Sequence, residues 1–212
     1  MKKILIATVF TGISTFCFSQ SEKYAKAMTT NIASIDSVRS ADDMFALSSQ
    51  FERIADAEKT QWLPYYYAAY CEVIYAFMKN DVPNNDKYAD RANALIGKAE
   101  ALGSTNSEIS CIKSMIASLH MMVDPATRWQ TYGTTSQQEI EKAKTQDPAN
   151  PRPYYLQGQN LRYTPEQFGG GCANAKPVLQ EALKKFESFK PATDISPNWG
   201  KQRVNQLLAE CK

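Results

Sequence analysis

The chain has one histidine among its 212 residues, His120, so zinc sites of the histidine-rich kinds cannot be assembled from it. It has no Gly-x-Ser-x-Gly elbow, no phosphate loop ending in Gly-Lys-Ser/Thr and no dinucleotide-binding glycine fingerprint. A cysteine–histidine nucleophile pair fails on geometry. Cys111 and His120 lie nine residues apart in one apolar helical stretch, about 13 Å by the rise per residue, and so cannot hydrogen-bond. His120 itself, within Leu119-His120-Met121-Met122, reads as a packed side chain with a single hydrogen bond. Alternating β-branched runs of strand length are missing after the first twenty residues. No later stretch approaches the roughly 20 apolar residues of a membrane helix. The expectation is a helical protein that is not an enzyme, with no catalytic residues, no metal and no cofactor.

The start of the chain reads as an address. Met1-Lys2-Lys3 precedes an apolar run from Ile4 to Phe18, relieved only by Thr, Gly, Ser and Cys, and then Ser19-Gln20-Ser21. A basic start, about 15 apolar residues and a small residue form a secretory signal too short to remain across a bilayer. Cleavage after Ser19 is expected, giving a signal peptide of residues 1–19 and a single domain of 20–212, exported to the periplasm or secreted, and soluble. A first core helix and lipid attachment at Cys17 are the alternatives. Losing Lys2 and Lys3 reduces the 24 basic residues to 22, equal to the 22 acidic ones. With the charges balanced and interspersed, the clustered cations that nucleic acid requires are absent.

Four cysteines remain after the signal. In an oxidising compartment an even count invites pairing. Cys172 and Cys211 bracket the last helices outside their apolar stripes, and a bridge closing about 40 residues would contribute roughly 4 kcal/mol in the chain-entropy model. Left unpaired, Cys172 near a helix start would instead be a reactive thiol. Cys71 and Cys111 lie in apolar stretches and read as small buried hydrophobes.

Helical spacing then runs through the chain. Tyr24, Met28, Ile32 and Ile35 are followed by Met44, Leu47, Phe51 and Ile54. A second pair begins near Trp62 and resumes after Asp81-Val82-Pro83-Asn84-Asn85, with Tyr88, Ala92, Leu95, Ile96 and Ala99 before Gly103. The third opens at Asn106 or Ser107, breaks at Asp124-Pro125, and continues from Thr127 to about Thr145 with a frayed or kinked start. The fourth spans Pro151 to about Tyr163 and Asn174 to Phe189, and a helix from Asn198 to Cys211 caps the stack. Pro64-Tyr65-Tyr66 recurs as Pro153-Tyr154-Tyr155, and Ala57, Ala99, Ala143 and Ala182 stand at intervals of 42, 44 and 39 residues. Such self-similarity predicts an all-α solenoid of about four stacked antiparallel helix pairs plus a C-terminal capping helix.

Ala92, Ile96 and Ala99, then Ala175, Leu179 and Ala182, resemble the small–large–small ladder in the second helix of tetratricopeptide repeats. Ile140, Ala143 and Pro148 keep most of it, and Gly158 resembles the small position of the first helix. In that family such residues let two helices approach closely. The likeness is to the exported, degenerate repeat proteins of bacteria. Repeats of about 42 residues rather than 34, altered aromatic and Leu-Gly positions, and Ser136 in place of a small residue are its departures.

Two features suggest binding. Trp62, Tyr65, Tyr66, Tyr67, Tyr70, Tyr75 and Phe77 share one helix. Trp62, Tyr66, Tyr70, Val73 and Phe77 form its inward stripe, while Tyr65, Tyr67 and Tyr75 cannot all follow. With Tyr154 and Tyr155 in the matching frame, these predict a tyrosine-lined groove for a protein or peptide partner. A small solute enclosed for handover to a transport system is the alternative. The second feature is Gly169-Gly170-Gly171, which offers either bare N–H groups to an anion or a sharp reversal of the chain.

Overall fold

The computed structural model describes residues 13–103 and 105–211, with side chains from residue 22. The expected signal peptide, residues 1–19, lies outside the residues whose side chains are described. The helices are α1 (Ile13–Ile35), α2 (Ala41–Glu58), α3 (Trp62–Lys79), α4 (Asn85–Gly103), α5 (Ser107–Val123), the short α6 (Pro125–Arg128), α7 (Thr134–Gln146), α8 (Arg152–Tyr163), α9 (Cys172–Ser188) and α10 (Lys201–Glu210). Among the described residues there is no strand.

Local chemistry sets the ends. Ser40 accepts from the Asp43 amide and donates to the Asp43 carboxylate, closing the start of α2. The Asn106 side chain accepts from the amides of Glu108 and Ile109 and starts α5. Asn80, with φ +52°, ends α3 in the left-handed region that asparagine tolerates. Of the frayed or kinked start expected before α7, the structure shows a distorted helix rather than a frayed one. Residues 129–133 form a π-helical turn that joins α6 to α7 without a break, an inserted residue being absorbed by wider hydrogen bonding rather than by loss of helix. The last helix starts at Lys201 rather than Asn198, because Gly200 at φ +109° precedes it.

Each helix packs on its neighbours in sequence, and the first helices of the pairs also touch one another: α3 with α5, α5 with α8, and α8 with α10. Close approach comes from the small-residue ladders. Ala92, Ile96, Ala99, Ala175, Leu179, Ala182, Ile140 and Ala143 are all fully buried. A Cβ on Gly158 would stand 2.6 Å from Leu179 Cδ2, so only glycine lets α8 lie this close to α9. Ser136, the odd member of the third ladder, bonds Ser114 and receives the Asn160 amide, tying α5, α7 and α8 together.

The chain between α9 and α10, residues 189–200, runs as a non-helical strap against α3 and α8. Trp199 stacks on Tyr70 with ring centres 4.7 Å apart and meets the Tyr155 edge at 6.1 Å. Its indole N–H donates to the Tyr66 hydroxyl at 2.8 Å, which donates onward to Glu108 at 2.9 Å. Tyr67 donates to the Ile195 carbonyl, and Arg152 to that of Pro197. Cys172 and Cys211 are joined, fixing the end of α10 to the start of α9. Trp199→Ala is expected to cost about 3–5 kcal/mol through the cavity it leaves. Urea unfolding should show the midpoint fall with little change in slope, and an unchanged midpoint would mean that the strap contributes nothing to the core.

Candidate functional site

The tyrosines expected to line one groove divide between two surfaces. Tyr65 is 8 % exposed, donates to Asp56 of α2 and carries Lys98 of α4 over its ring. Tyr75 is half-buried between Phe45 of α2 and Tyr88 of α4. Tyr154 is held between Lys144 of α7 and Lys185 of α9. These three meet the second helices. Tyr67, 1 % exposed, and Tyr155, 6 % exposed, instead face the strap side. The single open groove is thus corrected: Tyr65, Tyr67 and Tyr155 are core residues, and Tyr75 and Tyr154 are half-buried against the second helices. α3 is packed by α2, by α4 and by the strap, so most of its circumference is buried, Tyr65 and Tyr67 included, while Tyr75 is half-buried. Burial also raises the phenol pKa of Tyr66, Tyr67, Tyr70 and Tyr155, keeping them neutral hydrogen-bond donors.

The other candidates resolve in the same structural direction. Burial pushes the Cys71 and Cys111 thiols up, which removes them as nucleophiles. In the glycine loop, Gly170 N–H donates to Pro165 and Gly171 N–H to Leu161 and Thr164. A Cβ on Gly170 would fall 1.9 Å from the Thr164 oxygen. These amides are spent on a tight reversal, so the loop is no anion cradle.

His120 has a partner. Its Nδ1 lies 2.7 Å from Asp86, its ring stacks on Tyr132 at 4.7 Å, and Arg128 grips the same carboxylate at 2.7 and 2.9 Å. The group clamps α4, α5, α6 and the π-turn, and leaves Trp129 56 % exposed beside it. Hydrogen bonds from Arg128, then His120, hold the Asp86 pKa below the ordinary carboxylate range.

One surface went unread in the sequence. Tyr66, Glu108 and Arg152 are bonded at one level of the parallel helices α3, α5 and α8, and Trp199 covers the next turn. Past it, Ile74 and Phe77 on α3, Met122 on α5 and Gln159 on α8 are only half-buried. At the end of α8, Tyr163 is 59 % exposed, with the Arg162 guanidinium 5.8 Å from its ring centre and Arg203 donating to its hydroxyl. Phe168, 72 % exposed, stands on the glycine loop just beyond. The signal for this surface was the spacing of Tyr155, Gln159 and Arg162, one helical stripe that turns from apolar to cationic.

Among the described residues the scaffold is all-helical, and apolar and cationic side chains are partly uncovered at one end of its inner helices. No protein-family model matches the chain, and no curated protein matches it. Among solved structures it is similar to the HusA haemophore from Porphyromonas gingivalis, at 40 % identity and a TM-score of 0.80, covering 89 % of this chain and 92 % of that one. The chain belongs to the HusA haemophore family. That neighbour is a binding protein rather than an enzyme.

Because the folded-state pKa of Asp86 is depressed, its contribution is present above the ordinary aspartate value of about 4 and is lost as pH falls through the lower folded value. Asp86→Asn should therefore lower the urea midpoint at pH 7 and flatten its fall between pH 4 and 2. Parallel curves for the two proteins across that range would show that the clamp carries no stability.

Proposed function

We propose that this chain is an exported haem-binding carrier: a signal peptide of residues 1–19 followed by one domain, 20–212, folded as a tetratricopeptide-like α-solenoid and released to the periplasm or beyond the cell. The observation that carries the reading is the 40 % identity to a haemophore along nearly the whole of both chains. The uncovered end of the inner helices supports it. Haem is a flat apolar macrocycle with two carboxylates, and Ile74, Phe77 and Met122 supply half-buried apolar contact area while Arg162 and Arg203 supply the opposite charge.

Haem here is cargo. Of the earlier expectations, the small-solute alternative fits this geometry better than a peptide groove, because the tyrosine face a peptide would have used is occupied by the strap. The thioether of Met122 and the aromatic edges of Phe77 and Tyr163 suit a polarizable ring without demanding one fixed pose.

Haemin titrated into the mature protein, followed by its visible absorbance and by quenching of tryptophan emission, tests the function. A saturable one-to-one complex that survives gel filtration is the expected result. Unsaturable, detergent-sensitive partitioning, equal to that seen with an unrelated helical protein, would sink the reading.

A further inference from the structure

We propose that Arg162, Tyr163 and Arg203 form a carboxylate-recognising subsite, so that this protein selects flat apolar ligands bearing acid groups over equally flat ones without them. The inference rests on the haem-class reading and specifies what in the ligand is recognised.

The argument begins with Arg162. Among the described residues no carboxylate lies within ion-pair distance of it, while Arg91 has two and Arg128, Arg152 and Arg203 have one each. Arg162 is also half-buried, and its Nε is shielded from solvent with no hydrogen-bond partner. A guanidinium taken partly out of water without a partner costs free energy. An arriving carboxylate would repay that cost, and guanidinium binds carboxylate in a forked, planar geometry.

The surroundings fit the same ligand. Tyr163 lies between two guanidiniums, its ring against Arg162 and its hydroxyl bonded to Arg203, and still exposes more than half its surface. Arg203 is shared with Glu210 at 3.2 Å, a partly exposed pair, so its charge is only loosely satisfied. The backbone beneath is held firmly. The 164–171 loop is closed by its own amides and by the Asn174 side chain, which donates to the carbonyls of Gly169 and Gly170, and the disulfide ties its far end to α10. A fixed aromatic edge flanked by two cations is suited to the carboxylate rim of a planar ring, with the ring lying over the apolar stripe toward Phe77 and Met122. No iron is invoked, so iron-free porphyrin serves as the probe.

Protoporphyrin IX and its dimethyl ester share one ring and differ in their acid groups. The wild-type protein is expected to bind the diacid at least about ten-fold more tightly, the scale of one charge-assisted contact. Arg162→Gln should reduce that preference to about two-fold or less while leaving ester affinity and thermal midpoint unchanged, and Arg162→Lys should restore part of it. Equal affinity of the wild-type protein for acid and ester, or a preference untouched by Arg162→Gln, overturns the subsite alone. Loss of acid and ester binding alike in Arg162→Gln also overturns it, as the mark of a structural role. Failure of the wild-type protein to bind either porphyrin overturns the haem-class reading, and the subsite with it.

Discussion

The carboxylate of Glu108 is the constraint on which the arrangement depends. It sits near the start of α5 and receives the Tyr66 hydroxyl at 2.9 Å, the Asn150 amide at 2.7 Å and the Arg152 guanidinium at 3.3 Å. Arg152 is fully buried, lies over the rings of Phe189 and Trp199, and holds the Pro197 carbonyl. One acid thereby links α3, the turn before α8, and the strap. Such a pair is expensive to desolvate, and removing one partner typically costs about 3–5 kcal/mol because the other charge is stranded. Its value is specificity of placement, since the polar chain Trp199–Tyr66–Glu108 fixes where a segment without secondary structure must lie.

That placement explains why a helix so rich in tyrosine has so little open surface. The strap covers the N-terminal half of the inner helices and stops at Gly200, whose glycine geometry admits Phe186 and Tyr155 against the backbone. The C-terminal half is left with half-buried apolar side chains and with Arg162, which has no carboxylate partner among the described residues. The proposed binding surface thus lies at the opposite end of the same three helices from the buried polar cluster.

Much of the helical frame was legible because its signals are local. The ladder Ala92, Ile96, Ala99, the close-approach Gly158 and the break at Asp124-Pro125 each act within a turn or two of themselves. Cys172 and Cys211 stood outside every apolar stripe, and the structure joins them. The strap was not legible. Residues 189–200 have neither period 2 nor period 3.6, and the burial of Trp199 depends on Tyr66 and Tyr70 more than a hundred residues earlier. Arg152 likewise reads as a surface charge until its partners come from three other segments. Without the strap, α3 would have a free face lined by Tyr67 and Tyr155.

The central claim is that the strap seals the tyrosine face and that ligand binds on the uncovered end of the inner helices. Amide chemical-shift mapping with diamagnetic gallium protoporphyrin measures this directly. The account predicts shifts clustered at 74–78 of α3, 118–122 of α5 and 159–163 of α8, with the Trp199 indole resonance unmoved. Shifts confined to the faces of α2, α4, α7 and α9, or a displaced Trp199 indole reporting release of the strap, would contradict it.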